Sequence, residues 1–121
     1  MQYEVIEFIK DFMIYEELKV NGRDYLLVHV GLGNYYPGKE IEEYSLKELI
    51  WDRAEYDIQY FEDTYVVTGH TPTQGIMGNL RPGYVYRENH HIAIDCGCNR
   101  SGGRLAAVCL ETGQEYYAEK N

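Results

Sequence analysis

Short runs of β-forming residues, separated by turn signals, dominate the hydrophobic pattern of this chain. The segments 15–20 and 24–30 are two such runs, and the Asn21-Gly22 pair between them is a strong signal for a two-residue hairpin turn. The second run is almost continuously apolar towards its end, which predicts a strand that is buried on both faces. A third run at 64–68 consists of β-branched and aromatic residues and is predicted to form a buried strand.

The second half of the chain continues this alternation of short strands and turns. Strands are predicted, in chain order, over residues 84–87, 91–95, 104–110 and 115–119. The last two are separated only by the turn sequence at 111–114, so they are expected to pair as a hairpin. Residues 73–83 are interrupted by glycine and proline and are predicted to form an irregular loop.

Two segments show helical periodicity instead. Residues 3–13 place apolar and charged residues at the spacing of an amphipathic helix with a wide apolar face. Further along, Ser45 and Glu48 match a capping box, which predicts a short helix from Leu46 to about Ala54. The residues predicted to pack from this helix are Leu49, Ile50 and Trp51. The predicted fold class is therefore α+β, rich in strands, with one N-terminal helix and one short helix.

Composition places the chain among small acidic domains. Its 121 residues suffice for a single small domain, and its 11 basic and 20 acidic residues give a net charge of −9. An acidic surface repels phosphate backbones, so no nucleic-acid partner is expected. The sequence has neither a long apolar run nor a secretion-signal pattern, which predicts a cytoplasmic protein without a membrane partner. The three cysteines, Cys96, Cys98 and Cys109, are interpreted as free and partly buried.

Two histidines lie where predicted strands end. His29 stands near the end of the second strand, and His70 follows the glycine that ends the third. A rigid strand fixes such a side chain while the adjoining loop leaves it reachable, which is a common setting for a functional site. Taken alone, each histidine is better explained as a structural residue: His29 as a core or strand-edge histidine, and His70 as a surface histidine in a Gly/Pro turn. Arg53 is compatible either with a solvated arginine or with a phosphate-binding guanidinium.

The remaining histidines and several arginines are interpreted as structural or solvated. His90 and His91 precede a predicted strand and are expected to be exposed turn residues. Four arginines are expected to be solvated: Arg81, Arg87, Arg100 and Arg104.

Five short motifs, taken together, resemble those of a known family. In chain order they are L-V-H-V-G (27–31), L-I-W-D-R (49–53), V-V-T-G-H-T-P-T (66–73), I-A-I-D-C-G (92–97) and G-G-R-L-A-A-V-C-L-E-T-G (102–113). The succession resembles the C-terminal half of a bacterial serine/threonine protein phosphatase of the calcineurin-like metallophosphoesterase family. The resemblance implies one partial domain over residues 1–121, which would be the β-rich half of a metal-binding β-sandwich.

The resemblance also implies roles for four residues. His29 and His70 match two histidines that bind the same metal ion in that family, and Arg53 matches an arginine that holds the substrate phosphate. Asp95 matches an aspartate near the site and is taken as a structural residue. The implied cofactor is a divalent transition metal, Mn, Fe or Zn, and the implied substrate is a phosphorylated protein or a small phosphoester.

Three N-terminal motifs of the family, G-D-x-H-G, G-D-x-x-D-R-G and G-N-H-E, do not occur in this sequence. In the family they supply the other metal ligands, a catalytic histidine and a second arginine. The chain alone is therefore expected to hold at most one metal weakly and to hydrolyse phosphate monoesters inefficiently. Half a sandwich would leave apolar sheet faces open, so a complementary N-terminal half or self-association is expected to cover them.

Three functional hypotheses follow from this pattern. In the first, the chain is the C-terminal part of a metal-dependent serine/threonine phosphatase. In the second, the complementary half is another chain, and the two together form the site. In the third, the chain is a non-catalytic pseudo-phosphatase fragment that acts as a self-associating or scaffold module.

Overall fold

The computed structural model describes residues 14–119. Within this range the strands are β1 (Tyr15–Val20), β2 (Arg23–Val28), β3 (Thr64–Thr68), β4 (Tyr86–Glu88), β5 (His91–Ala93), β6 (Arg104–Val108) and β7 (Glu115–Glu119). One α-helix, α1 (Leu46–Ile50), and two single 3-10 turns, Ile41–Glu43 and Thr73–Gly75, complete the regular structure of these residues. The fold is a β-rich α+β arrangement, in agreement with the predicted class.

The strands form a five-stranded sheet and a separate hairpin. The order in the large sheet is β1-β2-β3-β5-β4, in which β2, β3 and β5 run parallel and the two outer strands pair antiparallel with their neighbours. Strands β6 and β7 pair antiparallel with each other in the second sheet. Parallel neighbours bring the ends of β2 and β3 to the same edge of the large sheet, and both candidate histidines follow at that edge.

The predicted hairpin turn between β1 and β2 is confirmed. Asn21 and Gly22 both have positive φ angles, of 50° and 79°, as a two-residue turn with the twist of a hairpin requires. The register runs from Tyr15 opposite Val28 to Val20 opposite Arg23. The strand boundaries predicted here differ from the observed ones by two residues at most.

The predicted capping box of the short helix is also confirmed, but the helix is shorter than expected. The backbone N–H of Glu48 donates to Ser45 Oγ at 3.2 Å, and the Ser45 N–H donates to the Glu48 carboxylate at 2.8 Å. Helix α1 ends at Ile50, not near Ala54, and the following Trp51 is 69% exposed and does not pack as predicted. The chain leaves the helix at this point because the next residues lie against the loop that follows β2, as described below.

The large sheet is covered on both faces, as the continuous apolar pattern of β2 predicted. One face carries Leu26, Val28 and Val66, which pack with helix α1 and the neighbouring loops. The other carries Val67 and Ile92. Apolar side chains that pack on this second face come from the hairpin β6–β7 and the residues that follow β6: Ala106, Val108, Leu110 and Tyr117. The molecule therefore has three layers, with the large sheet in the middle.

Several sequence predictions need adjustment. Strand β4 lies at Tyr86–Glu88 and not at 84–87, while β5 and β6 each end two residues before their predicted limits. The helix predicted for residues 3–13 lies outside the described residues. All three cysteines are free, but Cys98 is exposed and not partly buried. No helix among residues 14–119 is long and apolar enough to cross a membrane.

Candidate functional site

His29 and His70 come together at the edge where β2 and β3 end. The parallel register places Val28 opposite Thr68, and the Gly69 N–H donates to the His29 carbonyl oxygen at 3.0 Å. The centres of the two imidazole rings lie 5.3 Å apart, with the rings tilted by 58°. Both side chains are exposed, so the pair faces solvent at the rim of the sheet.

His70 is held in a sharp turn with an unusual backbone conformation. Its φ angle is 65°, and the Thr71 N–H donates to the Gly69 carbonyl oxygen at 2.7 Å, which closes a three-residue turn around it. A positive φ at the centre of such a turn is strained for a residue other than glycine. Strain of this kind is concentrated at functional sites, where surrounding structure holds a side chain in one direction.

Arg53 belongs to a segment that lies directly against the loop after His29. A Cβ atom at Gly31 would lie 2.6 Å from the Ala54 nitrogen, and one at Gly33 would overlap the Asp52 side chain. Only glycine permits this approach, because any other side chain would overlap the segment. The two glycines therefore allow the residues on either side of Arg53 to sit beside the His29 strand end.

A groove of about 340 Å³ links Arg53 to the turn that holds His70. Residues 53–57 line one part of it, and Thr71 with residues 75–77 line the other. Thr71 follows His70 directly and is only 3% exposed. The groove thus brings the predicted phosphate-binding arginine next to the His70 turn. Within residues 14–119, Arg53 forms no hydrogen bond or cation–π contact with either imidazole.

Tyr56 forms the floor of this region. Its hydroxyl lies 3.0 Å from Thr68 Oγ1, and its ring packs against the rings of Tyr86 and His91. Burial raises the pKa of the Tyr56 hydroxyl, while the hydroxyls of Thr68 and Thr71 and the charge of Arg53 oppose part of that rise. Tyr56 is therefore a neutral hydrogen-bonding group at neutral pH. No feature of the sequence distinguishes Tyr56 from the other tyrosines, of which the chain has thirteen in all.

Asp95 has structural hydrogen bonds next to this region. Its carboxylate accepts from the Gly97 N–H at 3.0 Å, and its carbonyl oxygen accepts from the Thr73 N–H at 2.8 Å. These bonds tie the chain after β5 to the loop after His70. The geometry agrees with a structural assignment for Asp95.

The prediction that His91 is an exposed turn residue is wrong. His91 lies in β5, is 1% exposed, and donates from Nε2 to the Ile58 carbonyl oxygen at 2.8 Å. Its ring packs between those of Tyr56 and Tyr60. Burial lowers its pKa, against the opposing effects of the Ile58 and Glu55 carbonyl groups and the charge of Asp57. His90 is half-buried, since its ring stacks on Tyr65 with centres 4.3 Å apart.

Two arginines that were predicted to be solvated have structural contacts. The Arg104 side chain, 12% exposed, donates to the Gly83 carbonyl oxygen and to Glu119, and lies over the Tyr84 ring. Arg87 donates to the Glu115 carboxylate at 2.7 Å. The prediction for Arg104 is wrong, because its partners come from sequence positions more than ten residues away. Arg87 is exposed, as predicted, and in addition pairs with a distant glutamate.

Residues 14–119 contain no group of three or more histidine, cysteine, aspartate or glutamate side chains placed to hold a metal ion. Within that range, His29 and His70 form a pair of donors that no third such side chain joins. Comparison of the chain with known protein families and with curated proteins gave no match.

Proposed function

We propose that this chain is the C-terminal part of a metal-dependent serine/threonine phosphatase of the calcineurin-like metallophosphoesterase type. His29 and His70 would bind one metal ion, and Arg53 would bind the substrate phosphate. The observation that carries the proposal is the pairing of the two exposed imidazoles at adjacent strand ends, with ring centres 5.3 Å apart. The family resemblance implied a shared role for both residues, although they are distant from each other in the sequence.

The separation of the two rings fits a shared metal ion. The ring centres are 5.3 Å apart, which is short enough for one nitrogen of each imidazole to bind the same metal ion. The exposure of His29 and His70 leaves room for further ligands on the solvent side.

The remaining groups of the site would come from outside the described residues. A metal pair in a site of this type supplies an activated water and charge neutralisation at the phosphoryl group. Carboxylates normally balance the metal charge, and no third donor accompanies His29 and His70 within residues 14–119. The chain's own part would be to hold two imidazoles and to present a guanidinium, whose fork geometry matches phosphate oxygens.

A second candidate function is association without catalysis, in which the chain is a pseudo-phosphatase module. The observation that favours it is the outer face of the hairpin β6–β7. Leu105 is 61% exposed and Tyr116 is 52% exposed. A two-stranded sheet with exposed apolar side chains is a common surface for self-association or for a partner chain.

Metal binding by the 121-residue chain tests the first proposal. We expect weak binding of Mn²⁺ or Zn²⁺ in isothermal titration calorimetry, which is lost when His29 is replaced by alanine or His70 by asparagine. Asparagine is chosen at position 70 because it tolerates a positive φ better than alanine does. The matched control is His90→Asn, which removes a histidine that also has a positive φ, of 61°, away from the pair.

Binding that survives both substitutions, or that the control removes equally, would contradict the assignment of the pair. Hydrolysis of an aryl phosphate by the chain with added Mn²⁺ provides a second readout. We expect no turnover above the rate of the free metal ion, because the bridged metal pair needs carboxylates. Efficient Mn²⁺-dependent turnover would show that the chain needs no complementary half.

A further inference from the structure

The groove beside Arg53 combines a buried wall with an exposed guanidinium. Thr71 is 3% exposed, and its hydroxyl lies beside that of Tyr56, where it opposes part of the rise that burial causes in the Tyr56 pKa. Arg53 lines the same groove and is exposed, so its guanidinium is available to the oxygens of an anion.

The same groove also carries negative charge. Glu55 and Asp57 line it and are exposed. Within residues 14–119, neither carboxylate forms an ion pair, and Arg53 forms none either. Among the described residues, the groove therefore presents one positive and two negative groups that are exposed and form no ion pair with one another or with their neighbours.

This charge distribution favours one of the substrate classes that are compatible with the proposed phosphatase function. A small phosphoester or a nucleotide brings only negative charge, which the two carboxylates and the overall charge of −9 would repel. A phosphorylated peptide with a basic residue beside the phosphate brings both signs. Its phosphate would meet Arg53, and its ammonium or guanidinium group would meet Glu55 or Asp57.

The rim of the groove suits a peptide as well. Met77 lines it and is 97% exposed, and Leu80 in the same loop is 95% exposed. An exposed methionine is a flexible apolar contact that adapts to different side chains. Ile76, at 6% exposure, anchors this loop to the core, so Met77 is presented from a fixed position.

We propose that this groove is a substrate subsite that binds a phosphorylated peptide with a basic residue next to the phosphorylated one. Arg53 contacts the phosphate, Glu55 and Asp57 contact the basic side chain, and Met77 packs against the peptide. The inference rests on the proposed function, because it takes Arg53 as the phosphate-binding residue.

Peptide binding to the 121-residue chain tests the inference without requiring turnover. Three fluorescent peptides of one sequence are compared by anisotropy at low ionic strength: phosphoserine flanked by lysines, phosphoserine flanked by glutamates, and unphosphorylated serine flanked by lysines. We expect the first to bind about fivefold more tightly than the second, as a loss of complementary rim charge predicts. We expect Arg53→Gln to weaken the first peptide roughly tenfold, as for a charged hydrogen-bond pair.

The acidic chain would attract any basic peptide, so a matched control is needed. The double variant Glu55→Gln/Asp57→Asn should abolish the preference for flanking lysines. The double variant Glu62→Gln/Asp63→Asn removes the same charge from an exposed pair a few residues away. This control should retain the preference for flanking lysines. A preference that survives the first double variant, or falls equally in both, overturns the inference.

Two further outcomes separate the inference from the proposed function. Equal binding of the two phosphopeptides, with Arg53 still required, overturns the peptide subsite and leaves the role of Arg53 in place. If phosphorylation gives no gain and Arg53→Gln has no effect, the assignment of Arg53 itself is wrong, and the inference fails with it. Metal binding by His29 and His70 is measured independently of both results.

Discussion

The five-stranded sheet and the hairpin β6–β7 contribute to this fold by different means. The central strands β2, β3 and β5 contain residues that are buried on both faces, such as Leu26, Val67 and Ile92. No residue of β6 or β7 is fully buried. Polar side chains attach the hairpin, among them Tyr117, which accepts from the Val85 N–H, and Arg104, which donates to the Gly83 carbonyl oxygen.

This difference shows which part of the molecule can hold a site. The two histidines extend from strands that are fixed by apolar packing, so their positions depend on the most stable part of the fold. The hairpin is a cover for one face of the sheet, and its own outer face is apolar and exposed. Its stability depends on partly buried apolar contacts, such as those of Ala106 and Val108, on a few hydrogen bonds, and on any partner that covers that outer face.

The largest expected effect compares one leucine from each region. Leu26→Ala in β2 should lower the free energy of unfolding by about 3 kcal/mol, because it removes a side chain that is 3% exposed and leaves a cavity. Leu105→Ala in β6, at 61% exposure, should cost less than about 0.5 kcal/mol. Urea unfolding of both variants measures the difference. Equal losses would show that the outer face of the hairpin is covered, and the loss for Leu105→Ala would then depend on protein concentration.

An intermediate effect is expected from pH, through His91 in the large sheet. Its pKa is lowered by burial, so the folded state holds it neutral while the unfolded chain protonates near the ordinary value. Its contribution to stability is therefore complete above about pH 6.5 and decreases as the pH falls below that value, by at most about 1.4 kcal/mol per pH unit. The groups around it are Tyr56, Tyr60, Asp57 and His90.

Replacing His91 by glutamine tests that source of acid sensitivity. Glutamine can keep a donor towards the Ile58 carbonyl oxygen but does not titrate. Urea midpoints measured between pH 7.5 and about 5 should fall less steeply in this variant than in the original chain. His90→Asn serves as the control and should keep most of the slope. An unchanged slope in His91→Gln would place the acid-sensitive group elsewhere.

The smallest effect compares two neighbouring tyrosines of the hairpin. Tyr117→Phe removes a hydroxyl that accepts from the buried Val85 N–H at 3.1 Å and donates to Glu115 at 2.6 Å, and should cost about 1 kcal/mol. Tyr116→Phe, at a site 52% exposed, should cost almost nothing. Amide hydrogen exchange should show faster exchange in β6 and β7 for the first variant only. Equal exchange in both variants would mean that Tyr117 does not attach the hairpin.

Local sequence signals predicted much of the fold. The features that were not predicted depend on contacts between residues that are distant in the sequence. The Asn21-Gly22 turn and the capping box of Ser45 and Glu48 involve residues within a few positions of each other, so the sequence displayed both. The helix end was wrong because Trp51 is followed by a segment that packs on Gly31 and Gly33, far earlier in the chain. A helical pattern carries no information on such a contact.

The site shows the same division. His29, His70 and Arg53 were singled out by position and by resemblance, and the structure brings the two histidines together and places Arg53 in a groove with Thr71. The buried positions of His91 and Tyr56 were not predicted. Each depends on rings and carbonyl groups contributed by other segments.

The sequence by itself determined where strands begin and turns form, because those depend on backbone preferences and alternation within a few residues. It also contains, in one order, the five short motifs on which the family resemblance rests. Only the tertiary structure decided that β2 and β3 are parallel neighbours, which places His29 and His70 at one edge. Only the tertiary structure placed residues 53–57, Thr71 and residues 75–77 around one groove. Packing between distant segments sets those distances, and no local pattern records it.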